Sequence, residues 1–416
     1  MFEQALTGVK RVLGDEHPHT LTATNNLAGA YAAAGDLKRA IPLHEQAVAG
    51  LKQVLGEAHP HALSSISHLA DAYRRTGDPD RAIPLYVQVI TGGVPLVGDE
   101  EHPAIVHLCN NYALALRAAG SPDLASRMLE EAIPRFRRVL GKEHPSILPL
   151  LDTLAEAYAS TRKARQAINL HKQSLSAHRR VLGYEHPDTL TSTTNLADAY
   201  LSTGNYDRAI PLHKQALAAR RRVLGQDHTD TLESANSLAA AYELAGDPDQ
   251  AVPLLEQALS ASRQVRGDEH PDTLTLVNNL ASAYESAGDP HRAINLYEQA
   301  LTDRRRVLGE EHLDTVASIN NLAYTYRSVG DLDKAIPLYE QALTGFQQVL
   351  GDDHPIALAA INNLADTYTS AGNPAKAAPL RQASADRGIS IKALPDRPRR
   401  LLFRQARRRL AEMTRR

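Results

Sequence analysis

The sequence predicts an all-α protein in which antiparallel helix pairs stack as an α-solenoid. A glycine followed by an acidic, histidine-containing loop recurs every 42 residues, with one spacing of 43. The chain has 416 residues but only 5% aromatic residues, which is few for several independent compact cores. A sustained period of this length is typical of repeat units that bury their apolar faces against one another. The recurring glycines are Gly14, Gly56, Gly98, Gly141, Gly183, Gly225, Gly267, Gly309 and Gly351.

The first helix of a unit is predicted from Pro18 to about Ala34. Leu27, Ala28 and Tyr31 fall within one sector of the helix, which is therefore the packing face, and the opposite side is free. A proline suits the first turn of a helix, because its missing amide would have no intrahelical partner there.

The second helix follows a Gly-Asp or Gly-Asn pair. Gly35 can adopt the left-handed conformation that ends the first helix, and the Asp36 carboxylate can cap the amides of the next one. A proline recurs about six residues into the second helix, as at Pro42, where it removes an internal hydrogen bond and predicts a bend. The alternative is a second helix that starts later.

Each unit carries the same sequence stretches, for example Asn-Asn-Leu-Ala-Ser-Ala-Tyr at 278–284, Ala-Ile-Asn-Leu-Tyr-Glu-Gln-Ala-Leu at 293–301 and Leu-Gly-Glu-Glu-His at 308–312. In these stretches the chain resembles tetratricopeptide repeats, in the long-loop form of kinesin light chains and many bacterial arrays. The resemblance implies a right-handed superhelix whose first helices line a concave groove for peptides or partner proteins.

The units divide the chain into three parts. Residues 1–14 match the second helix of an incomplete N-terminal repeat, and residues 15–385 contain nine units of about 42 residues. Residues 386–416 read as a basic linker followed by a C-terminal amphipathic helix. Two glycines and a proline disfavour helix within residues 91–103, which we predict to be a hinge.

Asparagine pairs on the first helices are the best candidates for ligand contacts. Asparagine is a middling helix former, and its amide can satisfy both the donor and the acceptor of an extended peptide backbone. The helical angle places the first asparagine of a pair in the groove, and the alternative is that the asparagines bond neighbouring repeats. We predict groove contact for the first and stacking for the second. The predicted groove asparagines are Asn25, Asn110, Asn236, Asn278, Asn320 and Asn362.

Charged residues on the same helices predict a bipolar groove, basic toward the N-terminal end and acidic in the middle. Complementary charge would select the orientation of a ligand. The alternative is a chance surface distribution. The residues are Arg74, Arg75 and Arg117, then Glu156, Asp198, Glu243 and Glu285, and finally Tyr324 and Arg327.

Nothing in the sequence predicts catalysis, a metal site or a cofactor. Nine of the 18 histidines occupy the same place in successive loops, and a catalytic group would not need nine copies. The single cysteine excludes a disulfide framework and leaves the histidines without thiolate partners for a metal. We predict that the loop histidines define the starts of the first helices.

The C-terminal segment differs in charge from the rest of the chain. Residues 387–416 carry a net charge of +9, whereas residues 1–386 carry −11. Three interpretations are open: a helix that caps the last repeat, a basic arm that binds nucleic acid, and a helix on an anionic membrane surface. No apolar run is long enough to span a bilayer and the N-terminus lacks signal-peptide features, so we expect a cytoplasmic protein.

The resulting hypothesis is a non-catalytic scaffold that binds an extended peptide or partner protein in the concave groove. The alternative is the sensor or regulatory array of a multidomain signal-transduction ATPase of the STAND type, because similar bacterial arrays often follow such a domain.

Overall fold

The computed structural model describes residues 2–93, 103–142, 144–161 and 163–386. The regular secondary structure of these residues is helical, which confirms the all-α prediction. The chain divides into two compact units between Thr203 and Gly204. Most of the predicted hinge at 91–103 and nearly all of the predicted tail at 386–416 lie outside the described residues, so both stay predictions.

In the first unit, α-helices alternate between first and second helices of a repeat, and consecutive helices pack against each other. The helices are α1 (Phe2–Leu13), α2 (Pro18–Ala33), α3 (Leu37–Leu55), α4 (Pro60–Arg75), α5 (Pro79–Gly93), α6 (Pro103–Ala118), α7 (Pro122–Leu140), α8 (Leu148–Ser160), α9 (Ala164–Val181) and α10 (Pro187–Ser202). A 3-10 turn at Pro145–Ile147 precedes α8.

The second unit continues the same alternation. Its helices are α11 (Tyr206–Leu224), α12 (Thr229–Ala245), α13 (Pro248–Arg266), α14 (Pro271–Ser286), α15 (Pro290–Leu308), α16 (Leu313–Ser328), α17 (Leu332–Leu350), α18 (Pro355–Ser370) and α19 (Pro374–Asp386). None of the described helices combines the length and hydropathy needed to cross a membrane.

A loop histidine starts the first helix of each described repeat except the third, whose loop is not described. The imidazole Nδ1 accepts the backbone N–H of the residue two positions later, at 3.1–3.3 Å. The nitrogen thus does what an aspartate or serine oxygen does at most helix starts. The prediction that these histidines define the helix starts is confirmed. They are His17, His59, His144, His186, His228, His270, His312 and His354.

The second helices begin before their prolines. Gly35 has φ +83°, and the Asp36 carboxylate accepts the N–H of Arg39 at 3.1 Å. With its first amides capped, α3 starts at Leu37 and continues through Pro42 to Leu55. The alternative of a later start is therefore wrong.

The apolar core of each unit consists mainly of leucine, alanine, isoleucine and tyrosine. Ile66 and Leu151 are almost fully buried in the first unit, and Tyr297, Tyr339 and Phe346 in the second. Because the clusters include residues from successive repeats, each repeat is stabilised mainly by its neighbours.

A tyrosine–glutamate hydrogen bond, which we call the Tyr–Glu bond, links successive repeats. A first-helix tyrosine donates its hydroxyl to a glutamate 28 residues earlier, on the second helix of the preceding repeat. A lysine or arginine often lies over the same ring, as Arg292 does at 5.3 Å from the Tyr284 centroid. The pairs are Tyr31–Glu3, Tyr73–Glu45 and Tyr158–Glu130 in the first unit, and Tyr284–Glu256, Tyr326–Glu298 and Tyr368–Glu340 in the second.

The Tyr–Glu bond gives a matched test of inter-repeat stability. The hydrogen bond to Glu256, together with burial, raises the pKa of Tyr284. Tyr284→Phe should lower the free energy of unfolding by about 1 kcal/mol, because one hydrogen bond to a charged group is lost. Urea unfolding measures this change. Tyr242→Phe is the control, since within the described chain the Tyr242 hydroxyl has no hydrogen-bond partner; equal losses in both variants would contradict a role for the bond.

Candidate functional site

The first helices present a row of partly exposed polar side chains, which we call the first-helix surface. Asp71 lies three and four residues before Arg74 and Arg75, and Asn321, Tyr324 and Arg327 are spaced by three, so these side chains lie on one side of their helix. In the first unit the surface contains Asp71, Arg74, Arg75, Asn111, Arg117, Glu156 and Asp198. In the second unit it contains Glu243, Glu285, Asn321, Tyr324 and Arg327.

Two hydrogen bonds anchor Asp71 on the first-helix surface of the first unit. Its Oδ1 accepts the Tyr86 hydroxyl at 2.5 Å and the Asn111 amide at 2.8 Å. Burial, and then the adjacent Asp71 charge, raise the pKa of Tyr86, while Arg74 opposes this shift. Sequence reasoning missed Asp71. It lies on the same face as the arginines, but only the structure shows Tyr86 and Asn111 converging on it.

Arg117 and Glu156 form an ion pair between two repeats of the first unit, 39 residues apart in sequence. Their side chains are only 21% and 24% exposed. The predicted bipolar groove is wrong for these two residues, which were assigned to separate basic and acidic regions. Their opposite charges lie together and compensate each other. The same unit also contains Arg74, Arg75 and Asp198, which are partly exposed.

In the second unit, hydroxyl groups hold the carboxylates of the first-helix surface. Glu243 accepts the Ser282 hydroxyl at 3.0 Å, and Glu285 accepts the Thr325 hydroxyl at 3.1 Å. Each bond joins two repeats, so each carboxylate has a defined position. Arg327 lies 5.2 Å from the centroid of the Tyr324 ring, a distance typical of cation–π contacts.

The predicted orientation of the first asparagine is wrong for Asn25, Asn278 and Asn320. These residues are only 4–5% exposed. Asn25 donates to His68 Nδ1 at 3.0 Å and accepts from His44 Nδ1 at 2.8 Å. The helical-angle argument treated each helix alone, whereas the following repeat and the second helix pack on this side and cover it.

The asparagines instead belong to hydrogen bonds that link repeats 43 residues apart. In the first unit Asn25 pairs with His68, and Asn110 accepts the Thr153 hydroxyl at 2.7 Å. In the second unit the pairs are Asn279 with Asn236 at 2.5 Å and Asn321 with Asn278 at 3.5 Å. These bonds favour the stacking interpretation. Asn110, Asn236 and Asn362 are partly exposed, and a ligand contact for them stays a prediction.

No group of three or more His, Cys, Asp or Glu side chains in the described part of the chain is arranged to hold a metal ion. The loop histidines of those repeats act as helix caps.

The family model described as tetratricopeptide repeat matches most of the chain in overlapping segments. The matched segments are residues 1–53, 23–92, 104–180, 161–222, 188–264, 230–306, 272–348 and 314–385. The chain belongs to the tetratricopeptide repeat family. This confirms the resemblance seen in the sequence stretches, and tetratricopeptide repeats are typically protein-interaction scaffolds.

Solved structures of repeat proteins are similar to this chain. A Podosopora anserina protein with nearly identical TPR-like repeats of the kinesin light chain kind is 31% identical, over 50% of this chain and 98% of that chain, with a TM-score of 0.47. BtubC (BKLC) from P. vanneervenii is 27% identical over 56% of this chain and 94% of its own, also with a TM-score of 0.47.

The apo form of RapI has a TM-score of 0.59 at 11% identity, over 88% of this chain and 97% of its own, which shows a common fold. No curated protein sequence matches the chain.

Proposed function

We propose that this tetratricopeptide repeat protein is a non-catalytic scaffold whose first-helix surface binds an extended peptide or a partner protein. The observation that carries the proposal is the row of polar side chains held by bonds between repeats. Asp71 in the first unit and Glu243 and Glu285 in the second are each fixed by a donor from another helix.

Fixed side chains favour binding because fewer rotamers are lost when the ligand arrives. Each immobilised long side chain costs about 0.5–1.5 kcal/mol on association, and bonds already present in the free protein reduce this cost. Partly exposed charges then select a ligand by complementarity and orient it.

The two units should prefer different ligands. Arg74 and Arg75 lie in the last turn of α4, so we expect the first unit to favour acidic segments. Glu243 and Glu285 on α12 and α14 favour basic segments on the second unit. The partners are therefore polypeptides with local clusters of charge.

A displayed library of random peptides, selected on the intact chain, tests the proposal. Peptides selected by the wild type should bind the double variant Arg74→Gln/Arg75→Gln, or the double variant Glu243→Gln/Glu285→Gln, about tenfold more weakly, equivalent to about 1.4 kcal/mol. Glutamine keeps an acceptor for Ser282 and Thr325, so the repeats stay linked.

Arg138→Gln is the matched control, because Arg138 is exposed on the second helix α7. It should leave the affinity unchanged. If the control weakens binding as much as the first-helix variants, or if neither double variant does, the first-helix surface is not the binding site. Affinities are measured by titration calorimetry with the selected peptides.

A further inference from the structure

A cleft of about 400 Å³ opens between the second helices α11 and α13 of the second unit. The first helix α12 forms its base. Leu217, Leu238 and Leu254 give it an apolar floor. The cleft lies between second helices, so it is separate from the first-helix surface to which the proposed function is assigned.

The polar groups around this cleft are cationic or neutral. One wall, on α11, contains Lys214 and Arg221, and the other, on α13, contains Gln250 and Gln257. The base, on α12, contains Tyr242. The described lining contains no carboxylate. Both cations are exposed at the rim of the cleft, and Arg221 donates to Gln257 at 3.4 Å. The charge of this rim is therefore complementary to an anionic ligand.

The neighbouring repeats show what is missing from the cleft. Glu256 accepts the Tyr284 hydroxyl at 2.5 Å in the next repeat, and Glu298 and Glu340 do the same for the two tyrosines that follow. The residue 28 positions before Tyr242 is Lys214, whose Nζ lies 5.4 Å from the centroid of the Tyr242 ring. A cation thus stands where those three repeats hold a carboxylate, as Lys172 also does 5.7 Å from the centroid of the Tyr200 ring.

The Tyr242 side chain retains an unused donor. The residue is only 7% exposed, yet its hydroxyl has no hydrogen-bond partner among the described residues. It borders the cleft, so a ligand atom can reach it. The hydroxyl itself is accessible at the cleft, so it can donate to an acceptor of a ligand.

A second cleft of about 640 Å³ between α13 and α15 has the same architecture. Leu259, Leu280 and Leu296 form its floor, and Tyr284 occupies the place of Tyr242. This cleft contains its own carboxylate, Glu256, already bonded to Tyr284. The two clefts are therefore built from equivalent helices but differ in charge and in volume.

We propose that the cleft between α11 and α13 binds an aspartate or glutamate side chain of a partner polypeptide, followed by an apolar residue. The carboxylate occupies the place of the absent glutamate, between the Lys214 ammonium and the Tyr242 hydroxyl. The apolar residue packs on the floor of the cleft, where Leu254 is partly exposed and Leu217 and Leu238 are already buried. The Gln250 and Gln257 amides can bond the peptide backbone of the ligand.

Two capped dipeptides test the proposal with the full chain labelled with ¹³C at tyrosine. Acetyl-Glu-Leu-amide should shift the Tyr242 resonance, which the Tyr242→Phe variant assigns. Acetyl-Gln-Leu-amide has the same shape without the charge, and it should bind at least about tenfold more weakly because the charge-assisted bonds are lost.

Exchange of the charge at one position provides matched variants. Lys214→Glu supplies the internal carboxylate of the neighbouring repeats, so it should abolish binding of the acidic dipeptide. Lys214→Gln removes only the charge and should weaken binding at least about tenfold. The reverse change, Glu256→Lys, should create a new site that shifts the Tyr284 resonance.

Equal binding of the two dipeptides would overturn the proposal, as would unchanged binding to both Lys214 variants. Acetate that binds as tightly as the acidic dipeptide would exclude a polypeptide ligand. Thermal unfolding of each variant verifies that it is folded. The double variant Arg74→Gln/Arg75→Gln should leave the dipeptide-induced shift of the Tyr242 resonance unchanged, so failure of the proposed function and failure of this site are distinguishable.

Discussion

Phe346→Ala should lower the free energy of unfolding of the second unit by about 3–5 kcal/mol. Phe346 lies on α17 and is fully buried in a cluster that includes residues of α16 and α18. Truncation removes apolar contacts and leaves a cavity that the surrounding helices can fill only in part. Urea unfolding followed by circular dichroism measures the loss.

Val349→Ala is the control for this change because Val349 lies on the same helix and is 40% exposed. Its effect should stay within about 0.5 kcal/mol. A loss below about 1 kcal/mol for Phe346→Ala would mean that adjacent repeats close the cavity. In that case the interface between repeats is more plastic than its packing indicates.

The stability of the first unit should fall as the pH decreases from about 6.5 to 4. Burial, and then the charge of His68, lower the pKa of His44 to about 4. The unfolded chain, with an ordinary histidine pKa of about 6.5, takes up the proton first, so protonation favours unfolding. The free energy of unfolding is greatest above pH 6.5. By pH 4 the titration of this residue alone lowers it by about 3 kcal/mol.

His44→Leu isolates this contribution. Leucine occurs at the equivalent positions of other repeats, at Leu129 and Leu255, so the fold accommodates it. The difference in unfolding free energy between pH 7 and pH 4 should be smaller by about 3 kcal/mol in the variant. His19→Leu is the control because His19 is exposed, and its pH dependence should match the wild type. Parallel pH profiles for His44→Leu and the wild type would contradict this assignment.

The bonds between repeats explain why the same fold can support different surfaces. The Tyr–Glu bond and the asparagine bonds join neighbouring repeats on different sides of the first helices. In one repeat, Lys214 replaces the glutamate of the Tyr–Glu bond. The helices of that repeat still pack against their neighbours, but the charge of the surface changes. This separation lets one repeat carry a ligand site without loss of its stacking contacts.

The helices themselves could be predicted from the sequence because their determinants are local. The histidine caps act on an amide two residues away, and Asp36 acts on an amide three residues away. Gly35 needs only its own backbone freedom. The repeat length follows from the spacing of the loop glycines along the chain, and spacing along one helix places Leu27 and Ala28 on the packing face.

The site could be predicted only in part. Arg74, Arg75, Glu243 and Glu285 are partly exposed on the first helices, as the spacing indicates. The sequence determined which side of a helix each residue occupies.

The tertiary structure alone decided that the next repeat covers Asn25 and that Arg117 meets Glu156. It alone showed that Tyr242 lacks the carboxylate found beside Tyr284, because such contacts depend on how neighbouring helices cross and not on spacing within one helix.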